Sequence, residues 1–204
     1  MVFDARLLLA SASPRRRELL DQIGVSYRVE PVDVDETPRP GERPADYVRR
    51  VAMDKARAGW ARNNGELAAL GADTTVLLDD EILGKPVSSA AAAAMLGSLS
   101  GRTHQVCSAV ALVQGTRERV VLSESRVSLR VMGEEEIARY VATGEPMDKA
   151  GAYAIQGLGA VFVAHLSGSY SGVMGLPLYE TVALLHEFGI GTPLTRGQVR
   201  DGAA

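Results

Sequence analysis

The sequence predicts an α/β fold in which helices flank a mixed, twisted β-sheet. Short apolar runs typical of strands alternate with segments whose apolar residues recur at helical spacing. Residues 103–114 and 119–132 form two long β-rich segments separated by a polar turn, which predicts an antiparallel pair. A sheet that joins this pair to helix-connected strands is mixed in direction.

The boundaries of the predicted elements follow from caps and from glycine and proline. Ser13 followed by Pro14 marks the start of a helix that Gly24 ends. Ser88 or Ser89 caps an alanine-rich helix, and glutamates fill the first turn of another. In chain order we predict strands at 6–10, 26–32, 70–78, 81–84, 103–114, 119–132 and 160–165, and helices at 14–23, from 44 onward, from 89 to before 101, 133–141 and 178–188.

Composition narrows the class of protein. The 204 residues are 46% apolar and 23% charged, which predicts one globular domain over 1–190 and a flexible tail over 191–204. A formal net charge of −3 argues against bulk attraction to nucleic acid. Cys107 is the only cysteine, which favours a reducing compartment, and no apolar run reaches membrane-spanning length. We therefore expect a cytoplasmic protein that binds neither nucleic acid nor membrane.

The first functional candidate is a strand that leads into a helix whose first turn is basic. Ser11, Ser13, Arg15 and Arg16 lie at this junction, with Arg17 the least suited to face the same ligand. Cations at a helix N-terminus are unfavourable by a few tenths to about 1 kcal/mol each, unless a bound polyanion reverses the sign. The segment therefore indicates either a phosphate site or a solvated basic helix start.

Three further charged residues occupy unusual positions. Lys55 lies on the apolar stripe of its helix, where it either extends towards solvent or meets a negative group. Asp73 follows Gly71 inside an apolar strand, so it is either paired with a lysine or bound to a metal. Glu36, in the acidic segment 33–36, is either a second metal carboxylate or a solvated loop residue.

Two glycine-framed segments complete the candidates. Lys85 follows Gly84 in a tight turn, and Gln156 lies among small residues that let a flat ligand approach, although ordinary turn chemistry explains either. Neither the phosphate-binding loop GxxxxGK[ST] nor a dinucleotide fingerprint is present. The three histidines lack metal-binding spacing and are interpreted as structural.

Taken together, eight ordered blocks resemble the Maf family of nucleotide pyrophosphatases. The blocks, between Leu7 and Phe188, are LLLASASPRRRELL, VDVDE, VRRVAMDKA, GADTTV, LGKP, LSGRTHQV, DKAGAYAIQGLGA and GSYSGVMGLPLYET. The resemblance implies a fold like that of inosine triphosphate pyrophosphatases, with two lobes around a cleft, and usually a homodimer. It also implies hydrolysis of nucleoside triphosphates to a monophosphate and pyrophosphate, and either a house-cleaning role or an influence on cell division.

The resemblance also implies roles for single residues. Asp73 matches the general base, and Glu36 lies near the metal and water, so these two carboxylates are expected to bind Mg²⁺ or Mn²⁺. Arg15, Lys55 and Lys85 match triphosphate-binding positions. One branch of the family acts on dTTP and UTP and is marked by three residues. Arg16, Thr74 and Gln156 match these three positions.

Two other functions remain open on the sequence. One is a pyrophosphatase for deaminated or modified purine triphosphates, and the other is a regulator of septum formation that binds without turnover. A regulator does not need a water-activating carboxylate, so Asp73 and Glu36 favour an enzyme. A further question is geometric: Asp73 and Thr74 face opposite sides of a regular strand, so they share one site only if the strand bends or ends there.

Overall fold

The computed structural model describes residues 5–79 and 81–195. The strands there are β1 (Leu7–Leu9), β2 (Tyr27–Val29), β3 (Ala68–Leu78), β4 (Glu81–Leu83), β5 (Thr103–Gln114), β6 (Arg117–Leu129) and β7 (Val163–Ser167). The α-helices there are α1 (Pro14–Gln22), α2 (Pro44–Arg62), α3 (Ser89–Leu99), α4 (Glu134–Ala142), α5 (Tyr170–Met174) and α6 (Leu178–Glu187). Within the same described ranges, three short 3-10 helices lie at Glu145–Asp148, Ala150–Ala152 and Leu158–Phe162.

The seven strands form one mixed sheet, as predicted. The strand order is β2-β1-β3-β5-β6-β7, and β4 pairs with β3. Strand β1 is parallel to both β2 and β3, whereas β4 runs antiparallel to β3 and β7 antiparallel to β6. Only two residues connect β5 to its neighbour β6, and a connection this short joins antiparallel strands.

The chain divides into two compact units, each with its own apolar core. The first comprises the described parts of 1–73, 108–122 and 175–204, and the second comprises those of 74–107 and 123–174. In the first unit, Leu8, Ala10 and Ala69 are fully buried together. Strand β1 has no exposed residue, which explains its unbroken apolar sequence. In the second unit, the larger core includes Leu96 and Phe162.

Most predicted elements are confirmed with small shifts at their ends. Pro14 occupies the first turn of α1, and Gly24 has a positive φ of 65° just after it. Ser88, not Ser89, caps α3 by accepting a hydrogen bond of 3.1 Å from the backbone amide of Ala91. The buried residues of α2 include Val48, Val51, Ala52, Ala56 and Gly59, which recur at helical spacing and form the apolar stripe on which Lys55 lies.

The segment 145–174 is the main departure from the predicted elements. The strand expected at 160–165 begins only at Val163, because residues 158–162 form a 3-10 helix. The short helix α5 and the other two 3-10 helices were not predicted. Glycines interrupt the apolar pattern here, and Gly144 and Gly151 adopt φ values of 77° and 72°, which neither regular helix nor strand permits.

The remaining sequence predictions concern the ends of the chain and its surroundings. Within the described residues no helix combines the length and apolarity needed to cross a membrane. Most of the predicted tail, residues 196–204, lies outside the described residues, as do residues 1–4. The single-domain boundary at 190 stays a prediction.

Candidate active site

Three ionisable side chains from separate elements of the first unit converge. The Nζ atom of Lys55 on α2 donates to Oδ1 of Asp73 on β3 at 2.9 Å and lies 2.8 Å from Oε1 of Glu36. Lys55 and Asp73 are buried, whereas half of the Glu36 side chain is exposed. We refer to Glu36, Lys55 and Asp73 as the carboxylate cluster. Lys55 therefore meets negative groups and does not extend freely into solvent.

Gly71 allows α2 and β3 to approach closely enough to form this cluster. A Cβ atom at Gly71 would lie 2.2 Å from the backbone oxygen of Ala52 and 2.5 Å from the backbone nitrogen of Ala56. These distances are far below contact, so no side chain fits between helix and strand. Residues two apart share one face of a strand, so Gly71 and Asp73 face α2 together. The absence of a side chain at Gly71 thus brings the backbone of α2 against β3 beside Asp73.

Side chains of α2 also hold the loop that carries Glu36. We refer to residues 33–37 as the acidic loop. The Tyr47 hydroxyl donates to the backbone oxygen of Glu36 at 3.0 Å. The Arg50 guanidinium donates to the backbone oxygens of Asp35 at 3.4 Å and Thr37 at 3.1 Å. Neither Tyr47 nor Arg50 was a sequence candidate, because solvated residues on a helix show the same pattern.

Arg50 is itself fixed by a two-point ion pair. Its Nε and Nη2 atoms donate to the Glu42 carboxylate at 2.6 and 2.8 Å, and both side chains are largely buried. Hydrogen bonding from Arg50, with a further bond from the Arg39 amide, lowers the pKa of Glu42 to about 2. Burial raises the pKa of Tyr47 to about 12, and the nearby Asp73 and Glu36 carboxylates contribute in the same direction. Tyr47 is therefore a neutral hydrogen-bond donor at physiological pH.

The basic start of α1 is built around Ser11. The buried Ser11 Oγ accepts from the Ser13 amide at 3.2 Å and from Arg16 Nη1 at 3.0 Å. The Ser13 side chain does not cap the helix by a hydrogen bond, although Ser13 occupies the cap position. Arg17 is exposed and lines a separate groove with Glu18, which fits its predicted exclusion from the site. The Ser11 hydroxyl keeps its own hydrogen to donate to a ligand.

Arg16 forms a second hydrogen bond and interacts electrostatically with the carboxylate cluster. Its Nε donates to the backbone oxygen of Gly175 at 3.0 Å, which gives a structural role to the block GSYSGVMGLPLYET. Burial lowers the pKa of Arg16, and Arg15 adds to this effect, whereas Asp73 and Glu36 oppose it. Arginine stays protonated at any physiological pH, so Arg16 is a fixed cation close to both carboxylates. Arg15 itself is partly buried at the same helix start.

The other three predicted site residues belong to the second unit. Strand β3 continues without interruption from Asp73 through the half-buried Thr74 to Leu78, so the strand does not end between the two residues and a shared site would require a bend. Lys85 is exposed between β4 and α3, and Gln156 is exposed in the loop before the third 3-10 helix. That Thr74, Lys85 and Gln156 act with the first group stays a prediction.

Comparisons with known proteins identify the family. Residues 6–188 match the family model described as Maf-like protein. The chain belongs to the Maf family. It is 57% identical to a protein named dTTP/UTP pyrophosphatase from Methylococcus capsulatus, over 93% of this chain and 94% of that protein. It is 54% identical to another protein of that name from Aromatoleum aromaticum, over 91% and 96% of the two chains.

A solved structure from Mycobacterium abscessus, titled a nucleoside-triphosphatase and dITP/XTP pyrophosphatase, also aligns with this Maf-family chain. The alignment covers 96% of this chain and 99% of that one, at 20% identity and a TM-score of 0.46.

The donor atoms of the carboxylate cluster decide which metal ion it could accept. Among residues 5–79 and 81–195, no group of three or more histidine, cysteine, aspartate or glutamate side chains is arranged to hold a metal ion. Mg²⁺, however, is commonly held by one or two carboxylates together with substrate phosphates and water. Glu36 and Asp73 supply hard carboxylate oxygens, one of each lies against Lys55 Nζ, and their two negative charges exceed the single charge of Lys55. The donor set therefore suits Mg²⁺ or Mn²⁺.

Proposed function

We propose that this chain hydrolyses dTTP and UTP to the monophosphate and pyrophosphate. The observation that carries the chemistry is the carboxylate cluster, in which a buried aspartate, a lysine and a second carboxylate meet beside a helix start rich in arginine. The proposed substrates rest on the relatives named dTTP/UTP pyrophosphatase, which match more than nine tenths of the chain at over 50% identity.

In the proposed reaction, water attacks the α-phosphorus and Asp73 takes its proton. A bond forms between the water oxygen and the α-phosphorus, and the bond from that phosphorus to the bridging oxygen of the β-phosphate breaks. Lys55 engages Oδ1 of Asp73, and a carboxylate has a second oxygen that can accept a proton. The arrangement needs no covalent enzyme intermediate, because positioning and charge stabilisation supply most of the catalysis in such transfers.

The cations are proposed to bind the negative charge that the leaving pyrophosphate carries. Arg15 lies in the first turn of α1, and the N-terminus of a helix favours anions. Lys85 is exposed, so binding a phosphate would not break a buried contact of its side chain. A divalent ion held by Glu36 and Asp73 would polarise the phosphoryl oxygens and lower the pKa of a bound water.

Selection of the base is assigned to Arg16, Thr74 and Gln156. A glutamine amide presents a donor beside an acceptor, which complements the N3 hydrogen and O4 of uracil or thymine. Cytosine reverses that pattern, so a fixed amide would leave buried groups unpaired at a cost of about 1 to 3 kcal/mol. We expect dTTP and UTP to be preferred over CTP by about tenfold or more, with purine triphosphates poorer still.

We also propose that the protein is a cytoplasmic homodimer. The proposed substrates are nucleotides, and the single cysteine, Cys107, is buried and forms no disulfide within the chain. Light scattering coupled to size-exclusion chromatography tests the dimer, and fractionation of producing cells tests the location. A gene deletion tests whether the enzyme acts in nucleotide house-cleaning or on cell division. The deleted gene is replaced either by the wild type or by Asp73→Asn, and the two strains are compared.

A substrate panel tests the proposed activity. Pyrophosphate release is measured with dTTP, UTP, CTP, GTP and a methylated guanosine triphosphate, with Mg²⁺ and with Mn²⁺ in turn. The proposal expects the highest kcat/KM for dTTP and UTP. Preference for a purine, or equal use of CTP and UTP, would refute the proposed preference for uracil and thymine. The proposed pyrophosphatase chemistry would stay in place. Absence of any pyrophosphate release would favour a binding protein.

A further inference from the structure

One tyrosine and one glutamate of the second unit hold both ends of the loop that carries Gln156. We refer to residues 153–159 as the glutamine loop. The Tyr140 hydroxyl accepts from the Ala154 amide at 3.1 Å and donates to Glu145 Oε1 at 2.8 Å. Glu145 Oε1 also accepts from the Gly159 amide at 3.0 Å. Its Oε2 accepts from the Leu158 amide at 2.9 Å.

The loop fits the Glu145 carboxylate closely. A Cβ atom at Gly157 would lie 2.4 Å from Oε2 of Glu145 and 2.6 Å from its carboxyl carbon. Only glycine can therefore follow Gln156 without displacing the carboxylate. Burial raises the pKa of Glu145, but bonds from the Leu158 and Gly159 amides and from Tyr140 outweigh it, so the pKa is lowered overall. The carboxylate is consequently ionised at neutral pH and accepts all three hydrogen bonds.

We propose that Glu145, together with Tyr140, is a positioning residue for base selection by Gln156. This inference rests on the proposed function, because it assumes that Gln156 contacts the base. Neither side chain touches substrate in this role. Their bonds on both sides of Gln156 fix the path of its backbone, and that path determines which edge of a base the exposed amide can reach.

A positioning role differs in its consequences from a purely structural one. If the pair only stabilises the second unit, its loss lowers thermal stability and affects all nucleotides alike. If it positions Gln156, its loss weakens the preference between bases, while groups that bind the triphosphate keep their affinity. Preorganised donors and acceptors discriminate because the wrong base leaves them unpaired, and this requirement disappears when the loop can adapt.

The experiment compares Glu145→Gln and Tyr140→Phe with the wild type and with Glu135→Gln as control. Glu145→Gln replaces one acceptor oxygen by an NH₂ donor that faces a backbone amide. Tyr140→Phe removes the hydroxyl that bridges Ala154 and Glu145. Glu135 is an exposed glutamate in the first turn of the helix that carries Tyr140. Folding is verified by circular dichroism, and Tyr140→Phe decides the question if Glu145→Gln does not fold.

Two quantities are measured: the ratio of kcat/KM for UTP to that for CTP, and the inhibition constant of inorganic tripolyphosphate, which lacks a base. We expect both variants to lower the UTP:CTP ratio by about fivefold or more, with tripolyphosphate inhibition unchanged and Glu135→Gln like the wild type. A wild-type ratio retained in the folded variants would overturn the inference alone. Equal use of UTP and CTP by the wild type would overturn it together with the proposed base preference.

Discussion

The acidic loop and the glutamine loop are both irregular segments, but they are held by groups of opposite polarity. In the acidic loop, the backbone oxygens of residues 35–37 accept hydrogen bonds from Tyr47 and Arg50. In the glutamine loop, the backbone amides of residues 154, 158 and 159 donate to Tyr140 and Glu145. A tyrosine serves each loop, as a donor to the first and as an acceptor of a backbone amide in the second.

This difference follows the backbone groups that each loop turns towards its anchor. The acidic loop turns backbone oxygens, which only accept hydrogen bonds, so its anchors are the donors Tyr47 and Arg50. The glutamine loop turns backbone amides, which only donate, so its anchors are the acceptors Tyr140 and Glu145. The charge of Arg50 is balanced by Glu42, and the repulsion between Glu36 and Asp73 is offset by Lys55.

The largest expected effect separates catalysis from base selection. We expect Asp73→Asn to lower kcat about 10² to 10⁴-fold for every nucleotide, because an amide cannot take the proton from water. The UTP:CTP ratio of any residual activity should not change. Pyrophosphate release by the folded variant, with Asp46→Asn as control at a half-exposed surface aspartate, checks this expectation. Residual activity above roughly a tenth of wild type would show that Asp73 is not the base.

Lys55 tests whether the carboxylate cluster also contributes to folding. We expect Lys55→Ala to lower the free energy of unfolding by about 3 to 5 kcal/mol, because it leaves the buried Asp73 without its cation. Adding Asp73→Asn should recover part of that loss, and a double-mutant cycle by urea denaturation measures the coupling. Lys85→Ala is the matched control, since this exposed lysine should barely affect stability. Stabilisation by Lys55→Ala would contradict a structural role for the cluster.

Acid should weaken the glutamine loop before the acidic loop. His104 Nε2 lies 2.8 Å from the hydroxyl of Tyr153 at the start of the glutamine loop, and burial lowers the pKa of His104 to about 4. The unfolded chain, with an ordinary histidine pKa, binds a proton that the folded chain does not bind between about pH 6.5 and pH 4. Stability is therefore full above this window and falls by about 3 kcal/mol across it. The pKa of Glu42 in the other anchor is about 2, so that ion pair persists to lower pH.

Urea denaturation at several pH values measures this effect. We expect His104→Phe to be less stable at neutral pH, because Tyr153 loses its partner, and to depend less on pH between 6.5 and 4. The exposed His165→Gln should keep the wild-type profile. An unchanged slope in His104→Phe would show that another group causes the acid sensitivity.

The smallest expected effect concerns the glycine that brings α2 to β3. Gly71→Ala should destabilise the protein by about 1 to 3 kcal/mol, because its Cβ would meet the backbone of α2, and it should lower activity by displacing Lys55. Gly97→Ala is a suitable control: it lies in α3 with open space around its Cβ, so alanine should stabilise by about 0.5 to 1 kcal/mol. Thermal melts of both variants with activity assays check the pair, and a neutral Gly71→Ala would exclude the close approach.

The sequence by itself determined the mixed sheet, the buried face of α2 and the residue types of the site, because these depend on local periodicity and on charges in unusual places. It left open whether Lys55 met solvent or carboxylate, and it did not distinguish Tyr47, Arg50, Tyr140 and Glu145 from ordinary residues of a helix surface or a turn. Only the tertiary structure decided these points, since each depends on a contact between segments that are separate in the chain. Lys55 and Asp73 are 18 residues apart, and Glu145 and Gly159 are 14 apart. No local spacing rule encodes which distant group a side chain will meet.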